Sequence, residues 1–242
     1  MTAPLSRAEF ERLIAPIEGW LGLREARALH EAARASLARA DAPVAVEVGS
    51  WKGRSTAAIA TAFARSGRGL LHAIDPHSAT ASHARAGQPD TLAALQHTLR
   101  STGVEQYVRI VRAPSAAARG DFAPRSVHLM FVDGSHAYED VLRDIVDWQP
   151  QLAPGATLAL HDAATRPGVQ RAAREHVLRR GSGYGAPRLV QNTLIVSWQP
   201  GGERATTRAL RLAAVRLGME LQRIRARAGA ARGRLGTKAA TR

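Results

Sequence analysis

The first forty residues contain two stretches in which apolar side chains recur every three or four positions. The first set is Phe10, Leu13, Ile14 and Ile17, and the second is Leu23, Ala26, Leu29, Ala33 and Leu37. This spacing places each set on one face of an α-helix. Gly19 and Gly22 lie between the two sets and interrupt the pattern. We therefore predict two helices within residues 7–40.

After residue 40, short apolar runs alternate with further helical patterns. The runs predict strands at 44–48, 70–74, 108–111, 127–132 and 157–160, and the helical patterns predict helices at 55–66, 91–101, 137–149 and 169–180. Residues 189–190 and 193–198 have the pattern of a closing hairpin pair. Alternation of this kind predicts an α/β fold in which helices cover both faces of a mostly parallel sheet.

The first predicted strand runs into a glycine-containing turn. The turn reads Glu47-Val48-Gly49-Ser50-Trp51-Lys52-Gly53, and the second strand ends at Asp75. Glycines let backbone N–H groups approach a ligand closely, and an acid after the second strand can accept hydrogen bonds from ribose hydroxyls. The spacing is not the dinucleotide fingerprint but the E-x-G-x-x-x-G version used for S-adenosylmethionine. Alone, it fits a cofactor site and an ordinary strand-to-helix turn about equally well.

Polar residues follow two further strands at the same edge of the predicted sheet. Asp133 to His136 follow the fourth strand, and His161 and Asp162 end the fifth. Because neighbouring parallel strands end at one edge, Asp133, His161 and Asp162 can meet in a single crevice. Two carboxylates and an imidazole are reasonable ligands for Mg²⁺ or Mn²⁺. Alternatively, the two acids cap the helices that follow them.

His136 is the histidine that we single out as a general base. It lies three residues after Asp133, at the ligand edge of the sheet. Histidine side chains titrate near neutral pH, so one in this place can take a proton from a sugar or phenol hydroxyl. A lone histidine is more often structural, which is what we expect at positions 72, 97, 128 and 176.

The composition removes several classes of site. There is no cysteine, so disulfides, thiolate metal ligands and cysteine nucleophiles are excluded. No apolar run approaches the ~20 residues of a membrane span. The first residues lack the charged-then-apolar plan of a signal peptide, so we expect a cytoplasmic protein.

Positive charge is concentrated near the end of the chain. The net charge is +14, and residues 203–242 hold eleven basic and two acidic residues, a net +9. We therefore predict a domain at 1–202 and a basic tail at 203–242. Six apolar residues of the tail fall on one helical stripe, namely Leu210, Ala214, Leu217, Leu221, Ile224 and Ala228.

Three roles are open for such a basic amphipathic helix. It can dock on its own domain, pack on a second copy in a homo-oligomer, or lie on an anionic membrane surface. The last role would place a cytoplasmic protein at the inner face of the membrane. Residues 229–242 are rich in Gly, Ala and Arg, and we expect them to be disordered.

Together, these motifs resemble class I S-adenosylmethionine-dependent methyltransferases. More narrowly, they are similar to the bacterial group that includes the metal-dependent sugar O-methyltransferases of macrolide and aminocoumarin biosynthesis. The matching stretches are residues 46–56, 73–76, 131–139 and 152–162. The resemblance covers residues 17–198 and implies a Rossmann-like fold with a seven-stranded, mostly parallel sheet.

The resemblance also implies roles for single residues. Cofactor contacts would come from Glu47, Gly49, Ser50, Gly53, Ser55, Asp75, Ser115 and Asp133, with Asp75 at the ribose and Ser115 near the adenine. The metal ligands would be Asp133, His161 and Asp162, and the catalytic residues His136, as base, and Asp133. Two positions depart from the family, which usually has an acid where His161 stands and often one at Ser135.

The implied reaction is methyl transfer to a hydroxyl of a sugar, a glycan or a related small molecule, assisted by a divalent metal ion and a histidine base. A metal that chelates two adjacent hydroxyls would orient the acceptor and lower its pKa. Two other functions remain open, an RNA methyltransferase and a non-catalytic cofactor-binding protein. Nucleic acid is the weaker partner, because only 5% of residues are aromatic and no Asn-Pro-Pro-Tyr-type motif is present.

Overall fold

The computed structural model describes residues 5–78, 91–200, 209, 211–225 and 228. The strands are β1 (Val44–Val48), β2 (Leu70–Ile74), β3 (Val108–Val111), β4 (Val127–Val132), β5 (Leu152–Leu160), β6 (Tyr184–Val190) and β7 (Thr193–Trp198). The helices are α1 (Arg7–Ile14), α2 (Leu23–Ser36), α3 (Arg54–Ser66), α4 (Thr91–Ser101), α5 (Ser115–Ala118), α6 (Tyr138–Trp148), α7 (Pro167–Ala172) and α8 (residues 211–225). A π-helical turn at Ala173–Val177 continues α7.

The seven strands form one sheet in the order β3-β2-β1-β4-β5-β7-β6. Strands β1 to β5 pair in parallel, and β7 runs antiparallel to both β5 and β6. The predicted α/β fold with a mostly parallel seven-stranded sheet is confirmed. The direction of winding reverses between β1 and β4, so the crevice beyond their carboxyl ends is where an open α/β sheet binds its ligand.

Both faces of the sheet are buried. One apolar cluster contains Val46, Val132, Leu158, Trp148 and Met219, and the other contains Ala45, Leu129, Phe131, Leu29 and Phe63. Adjacent strand residues such as Ala45 and Val46 enter different clusters because successive side chains point to opposite faces. Burial on both faces explains why the strands are continuous apolar runs in the sequence.

Three elements differ from their predicted bounds. Strand β5 begins at Leu152, before Pro154 and Gly155, and β6 begins at Tyr184, before Pro187. The register shifts opposite the start of β5 and again within β6, and bulges of this kind accommodate a proline inside a strand. The predicted helix 169–180 is the shorter α7 with its π-helical turn.

Helix α8 packs on the domain through a face that the stripe did not predict. Val215 and Met219 are buried, and Leu212 is partly buried in the same cluster as Leu189 of β6. The stripe residues Leu217, Leu221 and Ile224 are 63%, 47% and 61% exposed. Leu210 and residues 229–242 lie outside the described residues, as do residues 79–90. The domain boundary at 202 stays a prediction.

Within the described parts, no helix combines the length and the apolar character needed to cross a membrane.

Candidate active site

The turn after β1 lies against the turn after β4. Gly49 has φ +88°, and a Cβ there would lie 2.5 Å from the carbonyl oxygen of Asp133. The backbone N–H of Asp133 donates to the carbonyl of Val48 at 2.8 Å, which holds the two turns together. Gly53, with φ +90°, forms the N-cap of α3. Only glycine tolerates both the positive φ and the close approach at position 49.

Three buried polar atoms of the glycine turn, Glu47 Oε1, Ser50 Oγ and Trp51 Nε1, lack a hydrogen-bond partner within the described part of the chain. Glu47 is fully buried, and its Oε2 accepts a hydrogen bond from Thr56 Oγ1 at 2.6 Å. Among the described residues, Oε1 of Glu47 and Oγ of Ser50 have no hydrogen-bond partner. Burial raises the pKa of Glu47 to about 8, although the hydroxyls of Ser55 and Thr56 oppose part of the rise. Since buried polar atoms are normally satisfied, this turn fits a ligand with a cationic donor, such as the ammonium of S-adenosylmethionine.

Asp75 shapes the same turn. Its Oδ2 accepts the backbone N–H of Trp51 at 2.9 Å, and its Oδ1 accepts that of His77 at 2.8 Å. Trp51 and His77 have φ of 44° and 49°, in the left-handed region that costs a non-glycine residue about 1–2 kcal/mol. Each carboxylate oxygen has a second lone-pair site, so Asp75 can still accept hydrogen bonds from a ribose. Its role at the ribose stays a prediction.

Ser115 is held by the core. Trp148 Nε1 donates a hydrogen bond to Ser115 Oγ at 2.8 Å. This bond fixes the first residue of α5 against the end of α6. The role of Ser115 at the adenine stays a prediction.

An aromatic pair lies beside the glycine turn. The rings of Trp20 and Trp51 stack with centroids 4.4 Å apart and planes at 32°. Lys52 Nζ lies 4.6 Å from the centroid of Trp51 and 2.7 Å from Glu18 Oε2. Trp20 is 73% exposed. Sequence analysis missed this pair because Trp20 comes from the loop between α1 and α2; the only signal was a tryptophan directly after Gly19.

Five side chains converge beyond the ends of β4 and β5. Nδ1 of His161 lies 2.8 Å from Asp133 Oδ1 and 3.9 Å from Asp162 Oδ2, while its Nε2 lies 3.8 Å from Glu25 Oε1. His136 Nε2 lies 3.2 Å from Asp162 Oδ2. The structure thus brings the four predicted residues together and adds Glu25, which the sequence placed only within a helix.

Glu25 is a fixed, buried carboxylate. Its Oε2 accepts the backbone N–H of Gly22 at 2.9 Å, and its Oε1 accepts the N–H of Asn192 at 3.0 Å and the hydroxyl of Thr193 at 2.8 Å. These bonds tie α2 to the turn between β6 and β7. The carboxylate therefore reaches His161 from a rigid support.

Charge in the cluster is set by burial and pairing. Burial by itself lowers the pKa of His161, but the hydrogen bond to Asp133 and the charges of Asp133, Asp162 and Glu25 raise it to about 9. Burial by itself raises the pKa of Asp162, but hydrogen bonding to His136 and the charge of His161 hold it well below its usual range. At neutral pH a charged imidazole therefore lies among carboxylates.

The described residues do not fit a divalent metal ion. A metal needs several donor atoms directed at one point, whereas both nitrogens of His161 face carboxylate oxygens. Oδ1 of Asp162 accepts the hydroxyl of Thr165 at 2.8 Å. In the described part of the chain, no three His, Asp or Glu side chains form a group suited to a metal. The predicted metal at Asp133, His161 and Asp162 therefore disagrees with this geometry.

The capping alternative also fails. The N-cap of α6 is Ala137 and that of α7 is Arg166, and neither makes a side-chain capping bond. Asp133 and Asp162 thus serve neither helix as a cap.

Comparison with known proteins identifies the domain. Residues 46–163 match a family model described as a methyltransferase domain. This part of the chain is a methyltransferase domain. The match spans β1 to the turn after β5, which includes the glycine turn and the cluster around His161. The predicted resemblance to methyltransferases is confirmed for this part of the chain.

Solved structures agree with this fold. A Corynebacterium glutamicum protein aligns with TM-score 0.59 and 16% identity over 82% of this chain and 91% of its own. The O-methyltransferase TomG from Streptomyces achromogenes, solved with S-adenosylmethionine, aligns with TM-score 0.54 and 18% identity over 81% of this chain and 88% of its own. CalS11, a TDP-rhamnose 3'-O-methyltransferase of calicheamicin biosynthesis, aligns with TM-score 0.51 and 16% identity over 81% of this chain and 97% of its own. At these identities the likeness concerns the fold alone.

A curated relative matches a short part of this chain. The uncharacterized protein y4gI from Sinorhizobium fredii is 38% identical over 65 residues, which are 26% of this chain and 7% of that protein. The chain therefore spans a small fraction of that relative's length.

Proposed function

We propose that this methyltransferase transfers the methyl group of S-adenosylmethionine to a hydroxyl of a small-molecule acceptor, with His136 as the general base. The observation that carries the proposal is the pair of His136 and Asp162, whose Nε2 and Oδ2 atoms lie 3.2 Å apart. The pair stands at the carboxyl ends of β4 and β5, next to the glycine turn after β1. His136 is 43% exposed in its side chain, so an acceptor can reach it.

The cofactor would lie across the glycine turn. The unpartnered Oε1 of Glu47 and Oγ of Ser50 would accept hydrogen bonds from, or donate them to, its methionine portion. Asp75 would accept its ribose hydroxyls. Gly49 keeps the backbone of the turn close to Asp133, and no side chain at position 49 fills the space.

The histidine is oriented for proton transfer. Asp162 accepts hydrogen bonds only, so the proton of neutral His136 resides on Nε2 and the lone pair on Nδ1. Thr165 Oγ1 donates to Asp162 at 2.8 Å and Arg166 Nε donates at 3.4 Å, which holds the carboxylate in place. Nδ1 takes the hydroxyl proton while the oxygen attacks the methyl carbon and the carbon–sulfur bond breaks. A base of this kind contributes about 10²- to 10⁴-fold in rate.

A sugar hydroxyl is the acceptor that we favour. The exposed ring of Trp20, stacked on Trp51 beside the cofactor turn, would form an apolar wall for the C–H face of a pyranose. The action of CalS11 on TDP-rhamnose supports a sugar acceptor on the same fold.

A panel of acceptors tests this function. The full chain is incubated with S-adenosylmethionine and TDP-rhamnose, other nucleotide sugars, a catechol, or short RNA, and S-adenosylhomocysteine is measured by mass spectrometry. We expect product with a sugar that carries free vicinal hydroxyls, and about a hundredfold less or lower still after His136→Asn. Turnover of RNA alone would contradict the proposal, and so would S-adenosylmethionine binding without turnover of any acceptor.

A further inference from the structure

We propose that His161 occupies the place of a divalent metal ion, so that this site works without one and a single substitution converts it into a metal site. The inference rests on the geometry around His161 and does not depend on which acceptor is methylated. It assigns a role to His161, which holds the carboxylates of Asp133 and Asp162 in position beside the glycine turn and His136.

His161 lies where a bridging cation would lie. The resemblance to sugar O-methyltransferases places an acid at this position, and this chain has an imidazole instead. Its Nδ1 is 2.8 Å from Asp133 Oδ1 and 3.9 Å from Asp162 Oδ2, so one ring atom faces both carboxylates. Since a carboxylate only accepts, Nδ1 carries a hydrogen atom and cannot also coordinate a metal.

The other side of the ring is closed as well. Nε2 is 3.8 Å from Glu25 Oε1, and the Glu25 side chain is only 4% exposed. The hydrogen bonds that Glu25 accepts from Gly22, Asn192 and Thr193 leave it no freedom to withdraw. Phe131 packs edge-on against the ring at 6.3 Å between centroids. Neither nitrogen of His161 is therefore available to an ion in the crevice.

The second carboxylate is engaged too. Asp162 accepts from Thr165 through Oδ1, and its Oδ2 lies 3.2 Å from His136. A metal on Asp162 would displace the histidine that we assign as the base. The backbone of Asp162 has φ 55°, a conformation that the surrounding turn must hold. The side chains of His161 and Asp162 thus hold one another, Asp133 and His136 in place, a role that a metal ion would have in the metal-dependent enzymes that the motifs resemble.

Removing the imidazole should open the site to an ion. In His161→Asp, three carboxylates would face one crevice, an all-oxygen set that suits Mg²⁺ and Mn²⁺. The amide in His161→Asn can donate to Asp133 and adds no negative charge, so this variant is the matched control.

Mn²⁺ binding to the full chain tests the inference without an acceptor. Free Mn²⁺ is followed by electron paramagnetic resonance for the wild type, His161→Asp and His161→Asn, with folding checked by circular dichroism. We expect no saturable binding by the wild type or by His161→Asn up to about 1 mM. We expect one ion per chain in His161→Asp, at least tenfold tighter, and its loss when Asp133→Asn is added.

Two results would overturn the inference. One is a single Mn²⁺ bound by the wild type and lost in Asp133→Asn. The other is a folded His161→Asp variant that binds no ion. The wild-type titration decides the matter even where the aspartate variant does not fold. Failure of the proposed methyl transfer would appear separately, as absence of turnover in a protein whose ion binding follows this pattern.

Discussion

Gly49 lies so close to Asp133 that a single added carbon would touch the neighbouring backbone. A Cβ at position 49 would lie 2.5 Å from the carbonyl oxygen of Asp133, and φ at Gly49 is +88°. The contact joins the turn after β1, which would hold the cofactor, to the turn after β4, which carries Asp133 and His136. The close approach of Gly49 to the backbone of Asp133 therefore fixes the position of one turn relative to the other.

Gly49→Ala should disrupt both halves. The positive φ costs about 1–2 kcal/mol, and the clash with backbone adds to it. Gly67→Ala is the matched control, because Gly67 has φ +73° but nothing within 4 Å of its Cβ position. We expect Gly49→Ala to lower thermal stability more than Gly67→Ala and to abolish S-adenosylhomocysteine binding in calorimetry. Equal melting temperatures and unchanged affinity would show that the approach is not required.

Cofactor binding should release a proton. The pKa of Glu47 is raised to about 8 in the free protein, so at pH 7 most chains hold Glu47 protonated. The cofactor ammonium favours the ionised carboxylate, so affinity should rise as pH increases from 6 through 8. Calorimetry in buffers of different ionisation enthalpy should show proton release at pH 7 that is absent in Glu47→Gln. Equal heats across buffers in the wild type would refute a raised pKa.

The pair of Trp20 and Trp51 should contribute to binding of the acceptor and not to binding of the cofactor. Trp20→Ala removes the exposed ring, so we expect KM for the acceptor to rise several-fold while kcat and S-adenosylhomocysteine affinity change little. Trp20→Phe should restore much of the lost affinity. Val146→Ala, which shortens another exposed apolar residue, is the control. If Trp20→Ala weakens cofactor binding instead, the pair belongs to the cofactor site.

Helix α8 gives a further prediction. Leu217, Leu221 and Ile224 are exposed on the side opposite to Val215 and Met219. Arg216 and Arg225 are exposed and flank this stripe on its two sides. We propose an anionic membrane surface as its partner, because a second copy would bring like charges together.

Flotation with phosphatidylglycerol vesicles at ~0.15 M salt, where charge is screened over ~8 Å, measures this binding. We expect the wild type to float and the double variant Leu217→Gln, Ile224→Gln to remain in solution, with Val146→Gln as the control. If the wild type does not float but is a dimer that the double variant dissociates, a second copy covers the stripe.

The periodicity of the sequence was sufficient for the fold. Apolar runs of four to six residues separated by helical patterns imply parallel strands, and this architecture brings Gly49, Asp75, Asp133 and His161 to one edge. The pattern could not reveal that Pro154 and Pro187 lie inside bulged strands, since proline ordinarily ends a strand.

The remaining parts of the site depend on tertiary contacts. Glu25 looks like an ordinary surface acid in a helix and is buried only because α2 packs against the β6–β7 turn. Trp20 reaches the glycine turn through a loop whose course no local pattern predicts. The metal prediction rests on residue types and their proximity. The direction in which each nitrogen and oxygen points depends on tertiary contacts and cannot be read from the sequence.

The rate of methyl transfer in His136→Ala tests the central claim most directly. Nε2 of His136 lies 3.2 Å from Oδ2 of Asp162. The proposal assigns cofactor binding to the glycine turn and not to His136, so the substitution should spare cofactor affinity. With the best acceptor from the panel, we expect kcat to fall by about 10²-fold or more while S-adenosylhomocysteine affinity stays within a factor of about two. A variant that turns over at the wild-type rate across pH 6–9 would contradict the account.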